Sequence, residues 1–278
     1  MSMTRHLVIC ADDYGLAPGV SQAIRDLAGA RRLNATSVMT VFPGLEQEAA
    51  ALDETRRASA FGTSAFGVGL HVTLTGGFEP LAASPLKGSY LPPLSELVRA
   101  AFLRRLDLQA VEREVEAQFC AFFHLFGRPP DHVDGHQHAH VLPGIRPLVL
   151  AATVRHAPRA WVRDCTPAPR AAPGLDLKGR LIGAFSSGLG RDARARGLEV
   201  NRGFAGAYDF SGAIAFRALL ERALARLPDG GAVMVHPGHV DAVLAARDPI
   251  TDPRAAEFAV LAAPDLPALM ERLGVRLA

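Results

Sequence analysis

Short apolar runs alternate with longer amphipathic stretches from the start of the chain. HLVICADD precedes GVSQAIRDLAGARR, ATSVMTVF precedes GLEQEAAALDETRR, and FGVGLHVTL follows. The runs are rich in Val and Ile and do not alternate in polarity, which marks strands buried on both faces. The intervening stretches carry the three-to-four spacing of helices. The alternation continues through LDLQAVEREVEAQFCAFFHLFG, DHVDGHQH, IRPLVLAATVRHA, AWVRDCTP, a mixed segment at LKGRLIGAF, VNRGFAGAYDF, AIAFRALLERALARL and GAVMVHPGH. A last helix, DLPALMERLG, precedes VRLA. Seven or eight such strands predict a parallel sheet clad in helices. The expected fold is an irregular (β/α)7-8 barrel, one domain spanning 1–278, with a doubly wound open sheet as the second choice. The connection TGGFEPLAASPLKGSYLPP, residues 75–93, has no helical period and is long enough to be functional or mobile.

Composition narrows the partners. The 30 Lys and Arg against 28 Asp and Glu are dispersed along the 278 residues, so no basic face argues for nucleic acid or an anionic membrane. The start, MSMTRHLVICADDYG, lacks the parts of a secretory leader, and no run of 18 apolar residues occurs. The expectation is a cytoplasmic protein without a membrane span. Cys10, Cys120 and Cys165 are odd in number and far apart, which argues against a disulfide framework or a thiolate metal cluster and for small core residues.

In a (β/α) barrel, side chains from different strands converge at the carboxyl ends, where the chemistry sits. The first strand ends in Asp12-Asp13, the third carries His71, the fourth runs into DHVDGHQHAH, and a late one ends in His236-Pro-Gly-His239. On extended backbone, Asp12 and Asp13 point to opposite sides, so they are expected to do different jobs. One Asp could cap the next helix, but that helix begins near Pro18-Gly19, too late to occupy both. His71 alone would read as a satisfied core residue; the fourth strand beside it raises its interest.

Four of the ten histidines fall within residues 131–140. His132, Asp134, His136, His138 and His140 share parity and would share one face of an extended chain, but the ends of that run would lie about 26 Å apart. Only neighbours such as His136 and His138 could serve one small site, with Gly135 allowing a bend or close approach. Imidazole and carboxylate together suit Zn²⁺ or another first-row divalent ion, and a catalytic site uses about three protein ligands. His236 or His239 could donate a proton to a leaving group. Arg163 could hydrogen-bond an acid or base, or simply pair with Asp164.

With ADDYG, GLHVTL, HVDGHQHAH and MVHPGH in this order, and RDPITDPRAAEFAVL before the last helix, the chain resembles the YdjC-like carbohydrate deacetylases, the ChbG/HpnK group, over nearly its whole length. The resemblance implies an irregular (β/α) barrel that removes the acetyl group from an N-acetylated amino sugar with one divalent metal ion, Mg²⁺ or Zn²⁺. It implies Asp13, His71 and His136 as metal ligands, Asp12 as general base and His236 as acid. His138, His140, Arg163 and His239 would support these groups or touch the sugar, and His132 would be structural. Phe78, Tyr90, Phe204 and Tyr208 are aromatics that could stack on a sugar or pack in the core. A homodimer is left open, since no sequence feature demands one. The rivals are a metal-dependent amidohydrolase acting on a non-sugar amide, which would place its HxH pair on the first strand, a phosphoesterase, for which no Gly-rich phosphate loop is present, and a non-catalytic sugar- or metal-binding module, which would not need Asp12.

Overall fold

A computed structural model of the chain describes residues 4–59, 66–168, 177–210 and 215–277. In chain order the elements are β1 (Arg5–Tyr14), α1 (Pro18–Gly29), β2 (Ala35–Val38), α2 (Glu46–Ala58), β3 (Gly67–Val72), α3 (Leu94–Phe102), α4 (Leu108–Phe126), β4 (His132–Gly135) and a 3₁₀ turn (His136–Val141). There follow α5 (Ile145–His156), β5 (Trp161–Val162), α6 (Leu177–Ser186), α7 (Leu189–Arg194), β6 (Phe204–Ala205) and α8 (Phe216–Arg226). The last elements are β7 (Ala232–Val235), α9 (Ala242–Arg247), α10 (Asp252–Ala262), α11 (Leu266–Arg272) and β8 (Val275–Leu277).

All strand pairs are parallel, in the order β5-β4-β3-β2-β1-β7-β6, with β8 paired to the start of β1. Beyond the edges of this sheet, isolated parallel bridges join Val162 to Val200 and Pro167 to Phe204. The sheet therefore curls into an irregular (β/α) barrel with one seam held by bridges rather than a ladder. The expected fold class holds and the open doubly wound alternative does not. Strands β2, β4 and β7 are buried along their whole length, as their unalternating apolar sequences require once helices cover the outer face.

Several boundaries differ from expectation. LKGRLIGAF lies in helix α6, VNRGFAGAYDF supplies a strand of only two residues, and the fourth strand stops at Gly135. There the backbone turns, with Gln137 and His138 both left-handed at φ 50° and 60°. The shared-face argument for His132 to His140 therefore fails beyond residue 135, because those residues no longer follow a period of two. Cys10 and Cys165 are buried as expected, but Cys120 on α4 is exposed.

Helix α4 buries Val111, Val115, Phe119, Phe122 and Phe126 on one stripe, and the same stripe carries Glu114 and Gln118. Both polar groups hold backbone. Glu114 accepts from the N–H groups of Leu81, Ala82 and Ala83 at 3.1, 2.7 and 3.0 Å. Gln118 accepts from Thr73 N–H at 2.8 Å and donates to Thr73 C=O at 2.6 Å. The 75–93 connection is thus without a helix, as expected, yet anchored from below.

Candidate metal centre

The carboxyl ends of β1, β4 and β7 open on a cavity of about 610 Å³ that Asp12, Asp13, His136, His138, His236 and Arg254 help to line, with the His71 ring of β3 buried beside Asp13. Asp12 and Asp13 both reach it, contrary to the expectation from an extended chain. Asp13 adopts φ 69°, and the β1–β2 register slips between Ala11 and Tyr14. A left-handed residue at a bulge re-aims the side chains, so the two carboxylates approach one imidazole: His71 Nε2 is 3.3 Å from Asp13 Oδ1 and 4.0 Å from Asp12 Oδ2.

His136 Nδ1 lies 3.0 Å from the same Asp13 Oδ1. One donor atom from each of Asp13, His71 and His136 thus falls within a 4.8 Å cluster. Ligand bonds of about 2.0–2.1 Å at tetrahedral or octahedral angles separate donor atoms by roughly 3.0–3.4 Å. The residues fit one divalent ion. Two neighbouring groupings, Asp12–His71–Asp134 and Cys10–His132–Asp134, meet the same distance criterion but fit poorly. The Asp134 oxygens are already occupied, and burial pushes the Cys10 thiol far above its usual range, which keeps it protonated and a poor ligand.

Asp134 organises the floor. Its Oδ1 accepts from His71 Nδ1 at 2.7 Å, and its Oδ2 accepts from Ser37 Oγ at 2.5 Å and pairs with Arg163 Nη2 at 2.6 Å. With Nδ1 of His71 committed, Nε2 is the nitrogen left to face Asp13, the arrangement by which a carboxylate fixes a metal-binding tautomer. Burial alone would raise Asp134, but Arg163 and His71 hold it far below the usual carboxylate range. Burial opposes charge on His71, yet Asp134 and Asp12 outweigh it and push the imidazole up to about 10 in the metal-free site.

Arg163 is fully buried and grips Asp12 with both terminal nitrogens, Nη1 to Oδ2 and Nη2 to Oδ1, each at 2.6 Å. Its rival partner Asp164 instead accepts from Ser186 and Thr166 N–H. Arg254 plays a similar part for Asp13, donating from Nη2 to Asp13 Oδ2 at 2.6 Å and to Asp248 at 2.5 Å. Against the raising effect of burial, Arg254 and His136 hold Asp13 well below the usual carboxylate range, which keeps it an anion ready to ligate.

The remaining histidines separate by position. His236 faces the cavity, its Nδ1 is buried without a hydrogen-bond partner, and burial pushes it down to about 4. Its backbone N–H donates to Glu257, itself raised to about 7 by burial, and Glu257 also accepts from Tyr208. His138 lines the cavity with Nδ1 3.3 Å from Cys165 Sγ. His140 does not line it; its Nε2 donates to the Arg163 carbonyl at 2.9 Å, and burial lowers it to about 4. A Cβ at position 135 would come within 2.9 Å of its Nδ1, so Gly135 serves close approach. His132 stacks on Trp161 at 4.6 Å, a structural placement. His239 is not brought to the centre: it pairs with Asp26 at 3.1 Å and packs on Phe258. Phe78 and Tyr208 line the cavity, whereas Tyr90 is exposed and Phe204 is buried against His138.

Asp134 was read only for its shared parity, and neither it nor Ser37, Arg254 or Glu257 was given a role from the sequence. Asp134 shares parity with His132 and His136, which was the available signal. Arg254 and Glu257 fall within RDPITDPRAAEFAVL, a stretch that carries the resemblance, but Arg254 stands 241 residues from Asp13 and nothing in that stretch indicates its partner.

Fold and site together define a (β/α) barrel whose strand ends bring Asp13, His71 and His136 close enough to fit one divalent ion, beside a carboxylate clamped by arginine. The chain belongs to the YdjC-like protein family, which it matches over residues 6–272. It is 32% identical to a chitooligosaccharide deacetylase of Serratia marcescens, covering 98% of this chain and 96% of that one. It is 30% identical to a chitooligosaccharide deacetylase of Yersinia pestis, covering 99% and 98%. A crystal structure of an Enterococcus faecalis protein assigned to cellobiose-phosphate cleavage superposes with TM-score 0.75 at 18% identity over 99% of this chain and 97% of that one, which supports the fold.

Proposed function

We propose that this protein hydrolyses the acetyl amide of an N-acetylated amino sugar, releasing acetate and a free amine, with one divalent ion held by Asp13, His71 and His136. The observation that carries the reading is Asp12: a buried carboxylate, locked by two hydrogen bonds from Arg163, set 4.0 Å from the His71 nitrogen that faces the ion site. A binding module would need the ligands but not this base. The full-length similarity to chitooligosaccharide deacetylases supports the same reaction. Two imidazoles beside one carboxylate favour Zn²⁺ over Mg²⁺. Among the described residues no helix is long and apolar enough to cross a membrane.

The bound ion would supply Lewis-acid polarisation of the acetyl carbonyl and acidify the attacking water. Asp12 accepts the proton of that water, and Arg163 fixes which carboxylate edge is presented. Asp134 keeps His71 in the tautomer that points Nε2 at the site. His236 is the proton donor to the departing amine, which cannot leave as an amide anion. Its imidazole is neutral in the open cavity because burial opposes charge. As negative charge gathers at the carbonyl oxygen during attack, the ring takes up a proton from solvent in the cavity, and it is this proton that it passes to the amine. His138 and the cavity-facing part of the 75–93 connection, Gly76 and Phe78, border the substrate.

Stripping the protein of metal and restoring activity ion by ion tests the assignment. Zn²⁺ should restore acetate release at stoichiometric amounts, and a need for millimolar Mg²⁺ would reverse the choice of ion.

A further inference from the structure

His236 differs from the other imidazoles of the centre in how its ring is held. His71 is aimed by Asp134 and His136 faces Asp13, but His236 Nδ1 is buried with no hydrogen-bond partner among the described residues. A ring that must deliver a proton to one atom needs its place fixed by other means. Its backbone supplies one. The His236 N–H donates to Glu257 Oε2 at 2.5 Å, and two residues on the Gly238 N–H donates to the Arg254 carbonyl at 3.1 Å, so the turn after β7 is clamped to helix α10 at two points. Arg254, Glu257 and Leu261 are the buried positions of that helix. One face of α10 therefore holds Asp13, through Arg254, and the proton donor, through Glu257.

The second oxygen of Glu257 reaches the segment on the other side of the ring. Oε1 accepts from the Tyr208 hydroxyl at 2.6 Å. Tyr208 packs on Phe210 at 4.3 Å, and the Phe210 ring meets the His236 ring edge-on at 5.4 Å. Gly206, at φ 110°, lets this segment lie against β7, since a Cβ there would collide with the Met234 carbonyl. Both oxygens of a fully buried carboxylate are thus taken by donors from the two segments that bracket the imidazole. Packing alone would be served as well by an apolar residue, without the cost of burying a charge.

We propose that Glu257 is the positioning residue of the proton donor: through the His236 backbone, and through Tyr208 and Phe210, it aims the imidazole at the departing nitrogen, with no part in holding the ion or activating water. The inference rests on the deacetylase reading and gives a role in it to a carboxylate that does not itself line the cavity. When the C–N bond breaks, its electron pair goes to nitrogen, which takes the proton from His236. Glu257 sets where that proton is held.

Two acetyl donors separate leaving-group protonation from the other steps. N,N′-diacetylchitobiose needs a proton on its amine, whereas 4-nitrophenyl acetate presents the same acetyl group on a leaving group that departs as an anion. In the metal-loaded protein, Glu257→Gln should lower kcat on the disaccharide by about 10- to 100-fold, the scale of a misplaced acid, with KM unchanged and the ester rate kept. His236→Ala should show the same split, and Asp12→Asn should slow both substrates. In the His236→Ala background, Glu257→Gln should add nothing, because the ring it aims is gone. Equal losses on amide and ester, a further loss in that background, or an undiminished kcat on the disaccharide each overturns the proposal and leaves the deacetylase reading standing. If Glu257→Gln does not fold, Tyr208→Phe, which releases Oε1 alone, reads the same split: a loss confined to the amide supports the proposal, and an equal loss or none overturns it. A wild-type protein that releases no acetate from the disaccharide sinks the deacetylase reading, and this inference with it.

Discussion

Asp134 accepts from His71, Ser37 and Arg163 at once, so in the proposed reaction two functions would pass through one buried carboxylate: it would aim a metal ligand, and it would help hold the arginine that aims the base. Asp134→Asn keeps the shape but loses the charge and one acceptor. Metal affinity should fall 10- to 100-fold, the usual cost of a lost ligand-orienting partner, as measured by competition with a chromogenic chelator. Unchanged affinity would mean that His71 is oriented by the fold alone. Asp12→Asn belongs to the other arm: it should bind metal normally and lose about 10²–10⁴ in kcat. His71 adds a proton count. Held up to about 10 in the metal-free protein, it is protonated at pH 8, and an imidazole must lose that proton to ligate. Metal binding at pH 8 should release about one proton, seen as a calorimetric heat that varies linearly with the ionisation enthalpy of the buffer. The residues at strand ends, Asp12, Asp13, His71, His136 and His236, were legible in the sequence because a polar group ending an apolar run has few structural uses. Arg163 was half legible. Arg254 was not, because its partner lies on a different element.

At the scale of elements, the site depends on three departures from regular backbone: the left-handed Asp13 in β1, the left-handed pair Gln137 and His138 after β4, and the close approach at Gly135. A non-glycine residue in the left-handed region costs roughly 1–2 kcal/mol, so the strain at the strand ends is retained where it re-aims side chains into the cavity. Strict period-two reasoning placed Asp12 and Asp13 on opposite faces and five residues of DHVDGHQHAH on one; both errors have this cause. Gly135→Ala sets a methyl group 2.9 Å from the His140 ring and should destabilise by about 1–3 kcal/mol, read as a lower urea midpoint. The contact between α4 and the 75–93 connection is another element-scale device. Glu114→Gln weakens the acceptor of three backbone N–H groups, so the amides of Leu81, Ala82 and Ala83 should exchange with solvent faster while those of β3 do not. The sequence showed this connection as a long loop without helical period, but the buried carboxylate that anchors it was hidden among the polar positions of a helix.

At the scale of the whole molecule, the alternation of apolar runs and amphipathic stretches was enough for a parallel sheet clad in helices, because strands buried on both faces need cover on both; it left a barrel and an open doubly wound sheet both possible, and the bridges between the sheet edges decide for the barrel. The seam between the edges of the sheet was not foreseeable, since isolated bridges leave no sequence period. Burial also gives the molecule a pH response. His132, His140 and His236 are each pushed down to about 4 by burial. Unfolding frees them to bind protons below about 6.5, so their contribution to stability is present above pH 6.5 and is lost as the pH falls toward 4. Glu257, raised to about 7, works in the opposite direction over part of that window, one group against three. The urea midpoint of the metal-free protein should therefore fall between pH 6.5 and 4.5, and a flat profile would mean that these rings are solvated in the native state.

The most direct test of the account is acetate release from N,N′-diacetylchitobiose by the wild-type protein, by chelator-treated protein, and by Asp12→Asn loaded with metal. The account predicts release by the first alone, with Asp12→Asn retaining its ion. Release that persists without metal, or an Asp12→Asn variant as active as the wild type, would contradict it.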